Sequence, residues 1–316
     1  MASSVAHRVL IIKLGALGDF VQALGPMAAI RRHHPNSNIT LLTTKPYADF
    51  ASASNVIDDI WLDTRPSWQQ LGSWLALRRR LRQAQFDWVY DLQTSDRSGF
   101  YYRLMWPGPY PNWSGIAAGC SRTHFNPNRD LMHTTDRQRE QLQMAGIDDV
   151  PAPDLSWAQT DLSGFGLSSS YALLVPGGAG HRLAKRWPAA SYGALAQWLV
   201  EHSIQPVLLG TTLEHDVLDE ICSLCPDVLD LRDSTNFLAI PALARGAVCA
   251  IGNDTGPMHL ISTAGCPTVV LYSYDSDPAL CAQRGPAVTI LRQNVLANLS
   301  QATVIDALKL QVAALA

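Results

Sequence analysis

Four short stretches of the chain combine residue types and spacings that could hold phosphate and move a proton. The first, Lys13-Leu-Gly-Ala-Leu-Gly-Asp19, joins a buried strand to a helix. Gly15 and Gly18 let the backbone approach a ligand closely, and Asp19 falls in the first turn of that helix. There it is either a cap or dipole partner, or a carboxylate base. The second, Val175-Pro-Gly-Gly-Ala-Gly180, leaves a strand as a glycine-rich loop and is followed by Arg182, Lys185 and Arg186. Bare backbone at Gly177 and Gly178 beside cations suits phosphate; the alternative is a tight turn with solvated basic residues.

In the third, Ile251-Gly-Asn-Asp-Thr-Gly-Pro-Met-His-Leu260, a strand ends and Pro257 opens a helix whose free N–H groups favour a pyrophosphate. A carboxylate beside phosphate is repelled unless it serves another group, so Asp254 is assigned to sugar hydroxyls and Thr255 and Gly256 to phosphate. His259, four residues beyond Thr255, either touches the same ligand or packs. In the fourth, Val207-Leu-Leu-Gly-Thr-Thr-Leu-Glu214, the strand ends at Gly210. Glu214 is then placed to accept hydrogen bonds from ribose hydroxyls, or is a simple first-turn acid.

The elements that must position these residues form two series of short β-branched runs alternating with helical stretches, the pattern of parallel sheets covered on both faces. Strands are expected at 8–13, 38–43, 57–62 and 86–92, with helices over 19–34 and 68–83 and a loop over 107–130. A Pro-, Gly- and Ser-rich stretch from Pro151 to Ser170 reads as the linker. The second series gives strands near 171–175, 205–209, 228–231, 247–251 and 268–272, and closes on a helix over 301–315. The domains are therefore expected at 1–163 and 164–316.

With 316 residues, 47% hydrophobic and 16% charged, the chain suits two globular domains. A net charge of -3 gives no case for nucleic acid. The charge is uneven: residues 1–163 carry 16 Lys/Arg against 15 Asp/Glu, and 164–316 carry 8 against 12, so the first half suits an anionic partner better. Arg78, Arg79, Arg80 and Arg82, with Trp74 and Leu75 nearby, point to an anionic glycolipid or membrane surface, or to a solvated helix face. No membrane span or signal peptide is read, and the six cysteines are scattered, so a reducing cytoplasm is expected, with peripheral contact at the inner face of the cytoplasmic membrane as an option. Cys222-x-x-Cys225 lacks the partners of a zinc site. A dinucleotide fingerprint would need a third glycine and an acid after the second strand, which ends Thr43-Thr-Lys45.

KLGALGD, VPGGAG followed by AKRWP, LLGTTLEH and GNDTGPMH occur in the order and spacing of glycosyltransferase family 9, the bacterial lipopolysaccharide heptosyltransferases, which the chain resembles over most of its length. The C-terminal motifs are the more specific. The resemblance implies a GT-B fold: two Rossmann-like α/β domains facing each other across a cleft, acceptor on the first and nucleotide sugar on the second. It further implies inverting transfer without a catalytic metal or other cofactor, from an ADP-sugar such as ADP-heptose to a lipopolysaccharide core acceptor. By position Asp19 resembles the general base and Lys185 the phosphate-binding lysine. Glu214 looks like the ribose acid, and Asp254, Thr255, Gly256 and His259 like the donor-binding run. The competing readings are another nucleotide sugar or a protein acceptor, a non-catalytic nucleotide-sugar module, and an epimerase of the same architecture.

Overall fold

The structure is a computed structural model and describes residues 7–178 and 185–312. The chain divides into two compact units, Met1–Pro153 and Asp154–Ala316.

In the first unit the strands are β1 (Arg8–Ile12), β2 (Asn38–Thr43), β3 (Asp59–Leu62), β4 (Trp88–Asp91), β5 (Asn112–Gly115) and β6 (Arg122–Thr123). They form one sheet in the order β3-β2-β1-β4-β5-β6, with every pairing parallel. The run Val9-Leu-Ile-Ile12 is fully buried, as a central strand covered on both faces requires. The helices are α1 (Leu17–Gln22), α2 (Leu24–His33), α3 (Lys45–Ser52), α4 (Leu71–Gln83), α5 (Asp96–Leu104) and α6 (Thr134–Met144). On one face Trp74 and Leu81 of α4 and Tyr101 of α5 pack with Leu10, Ile12, Val89 and Trp113 of the sheet.

The second unit repeats this plan. Its strands are β7 (Tyr171–Val175), β8 (Gln205–Leu208), β9 (Leu229–Asp230), β10 (Cys249–Asn253), β11 (Thr268–Tyr272) and β12 (Val288–Arg292), in the order β12-β11-β10-β7-β8-β9, again all parallel. Its helices are α7 (Ala189–Glu201), α8 (His215–Leu224), α9 (Ala239–Gly246), α10 (Gly256–Thr263), α11 (Pro278–Cys281) and α12 (Gln301–Gln311). Counted within its own unit, each sheet has the 3-2-1-4-5-6 strand order of a Rossmann domain, whose ligands bind outside the C-terminal ends of the strands. No helix among the described residues is long and apolar enough to cross a membrane.

Several expectations need correction. The segment 107–130 is not all loop, because Asn112–Gly115 and Arg122–Thr123 extend the sheet. Asn-Trp-Ser-Gly has no apolar run, and Trp113, wholly buried, supplies what strand signal there is. Val288–Arg292, not among the expected strands, pairs with β11. The helix expected over 19–34 is two helices that meet at Ala23. The closing helix ends at Gln311, and residues 313–315 of its expected span lie outside the described residues. The division between units lies ten residues before the expected 163/164 boundary. Residues 154–163 go with the second unit because Leu155 and Ala158 are buried and their carbonyls accept hydrogen bonds from Arg245 of α9.

Candidate active site

At the C-terminal edge of the first sheet, the loop 13–16 turns β1 into α1. Its backbone is tied on both sides: the Leu14 amide donates to Gln93 Oε1 at 2.8 Å, and the Leu14 carbonyl accepts from Arg65 at 2.7 Å and from Thr44 Oγ1 at 3.1 Å. Gly15 has φ +119°, and a Cβ there would stand 2.7 Å from the Tyr47 ring, which stacks on Phe20 of α1. Gly18 follows Leu17 at the start of α1, and Asp19 is its third residue. No side chain caps this helix, and among the described residues no hydrogen bond engages the half-buried Asp19 carboxylate. The capping role open to it in the sequence is therefore not the one it plays here.

Beneath the loop lies a buried charge group that sequence reading missed. Lys13 is 3% exposed and donates to the Leu92 carbonyl at 3.1 Å. Burial lowers its ammonium to about 8; Asp19 and Asp91 oppose this, while Arg137 and Arg129 add to it. Burial raises the Asp91 carboxyl to about 6, against the stabilising hydrogen bonds of Thr94, Ser98 and Gln93 and the charge of Lys13. The signal was available, since a lysine directly after a buried central strand must either pair or discharge.

The second unit gathers its candidate residues at the corresponding edge of its sheet. Glu214 closes a short 3-10 turn, Thr212–Glu214, and reaches the glycine loop. Its Oε1 accepts from the Gly178 amide at 2.8 Å, and its Oε2 from the Thr211 amide at 3.0 Å. A Cβ at Gly177 would lie 1.7 Å from Glu214 Oε1, so the first glycine is the space the carboxylate occupies. Arg186 holds the Gly178 carbonyl from the other side. Glu214 is thus more than a first-turn acid. Arg182, Ala179 and Gly180, also part of the expected phosphate loop, lie outside the described residues.

Lys185 and Asp254 meet directly, with Nζ and Oδ2 2.7 Å apart and both side chains largely buried. Ser276 bridges them, accepting from Lys185 at 2.8 Å and donating to Asp254 Oδ2 at 2.6 Å. Gln283 Nε2 donates to Asp254 Oδ1 at 3.2 Å, with its own Oε1 fixed by the Tyr272 hydroxyl at 2.8 Å. Burial alone would raise the Asp254 carboxyl, but the hydrogen bonds of Lys185, Ser276 and Gln283 hold it below the usual carboxylate value. The charge conflict that the sequence posed between Asp254 and a phosphate is answered by this pairing: the carboxylate is neutralised locally.

Thr255 stands at the N-cap position of α10 with its hydroxyl turned to the Asn253 carbonyl, and Gly256 is the first helical residue, so the uncapped positive end of the helix opens beside Asp254. His259 is buried one turn further on. Asn253 is the hub that sequence reading missed. Wholly buried, it accepts from the Trp187 amide at 3.0 Å and the Tyr192 hydroxyl at 3.2 Å, and donates to the carbonyls of Pro176 at 2.7 Å and Gly177 at 3.2 Å. One amide therefore ties the glycine loop, the entry to α7 and the start of α10 together. Gly252 lets β10 approach: a Cβ there would be 2.5 Å from Met258 Sδ and 2.7 Å from Val175 Cβ.

Of the expected residues, the second unit brings Gly177, Gly178 and Glu214 into one cluster, and Lys185, Asp254, Thr255 and Gly256 into another at the adjacent strand end. The basic helix is different. Arg78 and Arg82 donate to the carbonyls of Met105, Trp106 and Gly108, and the Arg80 guanidinium lies 3.9 Å over the Trp61 ring. These arginines shape the protein before they can meet any ligand. All six cysteines are free, and among the described residues no group of three His, Cys, Asp or Glu side chains could hold a metal ion.

A substitution tests the loop geometry. Gly177→Ala must expel the Glu214 carboxylate from the glycine loop and leave the Gly178 amide without its acceptor, at a cost of about 1–3 kcal/mol in stability. Nucleotide affinity is expected to fall about tenfold, read by titration against the parent protein; unchanged affinity would separate this loop from the donor site.

The same fold is found in known proteins. The E. coli ADP-heptose lipopolysaccharide heptosyltransferase II superposes with a TM-score of 0.79 at 19% identity, over 98% of each chain. The E. coli heptosyltransferase WaaC with ADP superposes at 0.77 and 20% identity, over 96% of this chain and 100% of that one. Lipopolysaccharide core heptosyltransferase OpsX of Haemophilus influenzae is 23% identical over 285 residues, covering 84% of this chain and 78% of that protein. Residues 74–303, which include every second-unit residue of the site, match glycosyltransferase family 9 (heptosyltransferase). Two Rossmann sheets of one strand order accord with that match, which spans more than half of the sequence, and the chain belongs to glycosyltransferase family 9.

Proposed function

We propose that the protein transfers heptose from ADP-heptose to a lipopolysaccharide core acceptor, with inversion at the anomeric carbon. The observation that carries the donor half is the convergence of the glycine loop, Lys185 and the N-terminus of α10 at one edge of the second sheet. Relatives that bind ADP or are named as lipopolysaccharide core heptosyltransferases support the choice of nucleotide and acceptor.

In this reading Asp19 takes the proton of an acceptor hydroxyl as that oxygen attacks the anomeric carbon. The bond from that carbon to the diphosphate breaks, and ADP leaves with the electron pair. Lys185 and the amides at Thr255 and Gly256 neutralise the charge that develops on the departing phosphate. Glu214 has lone pairs left for ribose hydroxyls after binding the loop amides. Asp254, with its charge balanced by Lys185, is placed to accept from sugar hydroxyls, and His259 lines the same helix. The acceptor is held by the first unit, whose partly exposed Arg129 and Arg137 suit an anionic glycolipid. The site of action is the cytoplasm.

A thermal-shift series with ADP, UDP and GDP tests the donor assignment, because a ligand that binds only the folded state raises its stability by mass action. ADP is expected to give the largest upward shift. A larger shift with UDP or GDP would contradict the assignment. Chelation is expected to leave transfer intact, since a lysine and a helix terminus supply the positive charge at the leaving group. Loss of activity in EDTA that Mg²⁺ or Mn²⁺ restores would overturn this part.

A further inference from the structure

Residues 64–86 contain five arginines and no acidic residue. Within this stretch Trp68 is 63% exposed, Leu71 69% and Leu75 63%, and Trp106, in the loop after α5, is 69% exposed. These side chains are not scattered. At about 3.6 residues per turn, Leu71, Leu75, Arg78 and Arg82 fall within about 60° of the circumference of α4, with Arg79 at the margin. Trp74, Leu77 and Leu81 occupy the neighbouring stripe that packs on the sheet.

The four hydrogen bonds of Arg78 and Arg82 to the carbonyls of Met105, Trp106 and Gly108 hook the loop 106–110 onto this face of α4. They hold the Trp106 backbone against the arginine end of this face. At the other end Trp68 stacks on Trp74 at 5.2 Å and meets Phe100 edge-on at 5.1 Å, so the exposed part of its ring is fixed in place. The carbonyl partners of Arg78 and Arg82 are neutral, and among the described residues no carboxylate forms an ion pair with Arg78, Arg79 or Arg82. The result is a rigid apolar ridge with uncompensated positive charge along its flank.

We propose that this face of the first unit, Trp68, Leu71, Leu75 and Trp106 with Arg78, Arg79 and Arg82, docks on the surface of an anionic phospholipid bilayer. Soluble monomers carry few contiguous apolar patches, and a protein partner of this chemistry would have to be both apolar and acidic. A bilayer interface offers both properties together. Leucine and tryptophan enter at headgroup depth and the Arg79 guanidinium reaches lipid phosphate, while Arg78 and Arg82, engaged with the loop carbonyls, add their charge to the attraction. Arg80, turned to Trp61, takes no part. The purpose of docking rests on the reading that the acceptor is a glycolipid: it would bring the first unit to a substrate that cannot leave the membrane.

The test is co-sedimentation of the full chain with vesicles of phosphatidylcholine alone and of phosphatidylcholine containing about one-third phosphatidylglycerol. Binding is expected to the second and not the first, and to weaken as salt is raised. Arg79→Ala should weaken it about fivefold, the share of one charge near such a surface. Leu71→Ser with Leu75→Ser should weaken it at least about tenfold while the melting curve stays that of the parent, because both side chains already face solvent. Absence of binding to the anionic vesicles, or equal binding by the double variant, would overturn the proposal. So would a parent dimer that the double variant converts to monomer without vesicle binding, since the ridge would then serve a second copy. No donor or acceptor enters the assay, so a negative result leaves the transferase reading standing.

Discussion

Replacing Asp19 by Asn is expected to slow transfer by about 10²–10⁴-fold, the usual worth of a positioned general base. The reason is local. Asp19 stands in the first turn of α1, on a loop clamped through Leu14 by Gln93, Arg65 and Thr44, and among the described residues no hydrogen bond occupies its carboxylate. Asparagine keeps the shape and loses only the proton acceptor. Stability should therefore change by no more than about 1 kcal/mol, the scale of a helix-terminal charge effect. One secondary change follows from the sign of the interaction: without the Asp19 charge, the Lys13 ammonium drops further below its ordinary value. Nucleotide affinity, set in the second unit, should stay near that of the parent. Turnover close to normal in purified Asp19→Asn protein would remove Asp19 from the chemistry.

Lys185→Ala carries the second large effect, and it has two components that must be separated. The lysine neutralises the buried Asp254 and, in the proposed mechanism, the leaving diphosphate. Its loss is expected to lower donor affinity about 10- to 100-fold, the worth of a charge-assisted hydrogen bond. It also leaves Asp254 with Ser276 and Gln283 alone, a destabilisation that can reach about 3 kcal/mol when one partner of a buried pair is removed. Adding Asp254→Asn to Lys185→Ala distinguishes the two when affinity is measured with ADP, which carries none of the transferred sugar's hydroxyls for Asp254 to bind. Removing the orphaned charge should restore most of the melting temperature, whereas donor affinity should remain low. If affinity returned together with stability, the lysine would be a partner for Asp254 and nothing more.

The pair also shows where sequence reading reached its limit. Lys185 and Asp254 are 69 positions apart, and nothing in either motif says that their side chains touch. The strands that bring them together were legible, because β7, β10 and β11 are short and apolar, as are β1 and β2 in the first unit. β5 was not: Asn-Trp-Ser-Gly becomes a strand because Trp113 fills a gap between the sheet and α5, a tertiary cause. Gly177 was read as bare backbone for phosphate, yet its immediate reason is the Glu214 carboxylate lying where a Cβ would be. Asn253 was passed over beside Asp254, since an amide between two chemically suggestive residues gives no sign of the four hydrogen bonds it makes once buried. The arginines of α4 were visible as a charge run, but their hold on the loop 106–110 depends on contacts more than 20 positions away.

The most direct measurement incubates the protein with ADP-heptose and a lipopolysaccharide core acceptor that lacks the added residue, following ADP release and acceptor mass together. The acceptor is expected to gain one heptose for each ADP released, with both signals suppressed in Asp19→Asn. Stoichiometric transfer from a UDP- or GDP-sugar with none from ADP-heptose, or ADP release with no gain in acceptor mass, would contradict the assignment.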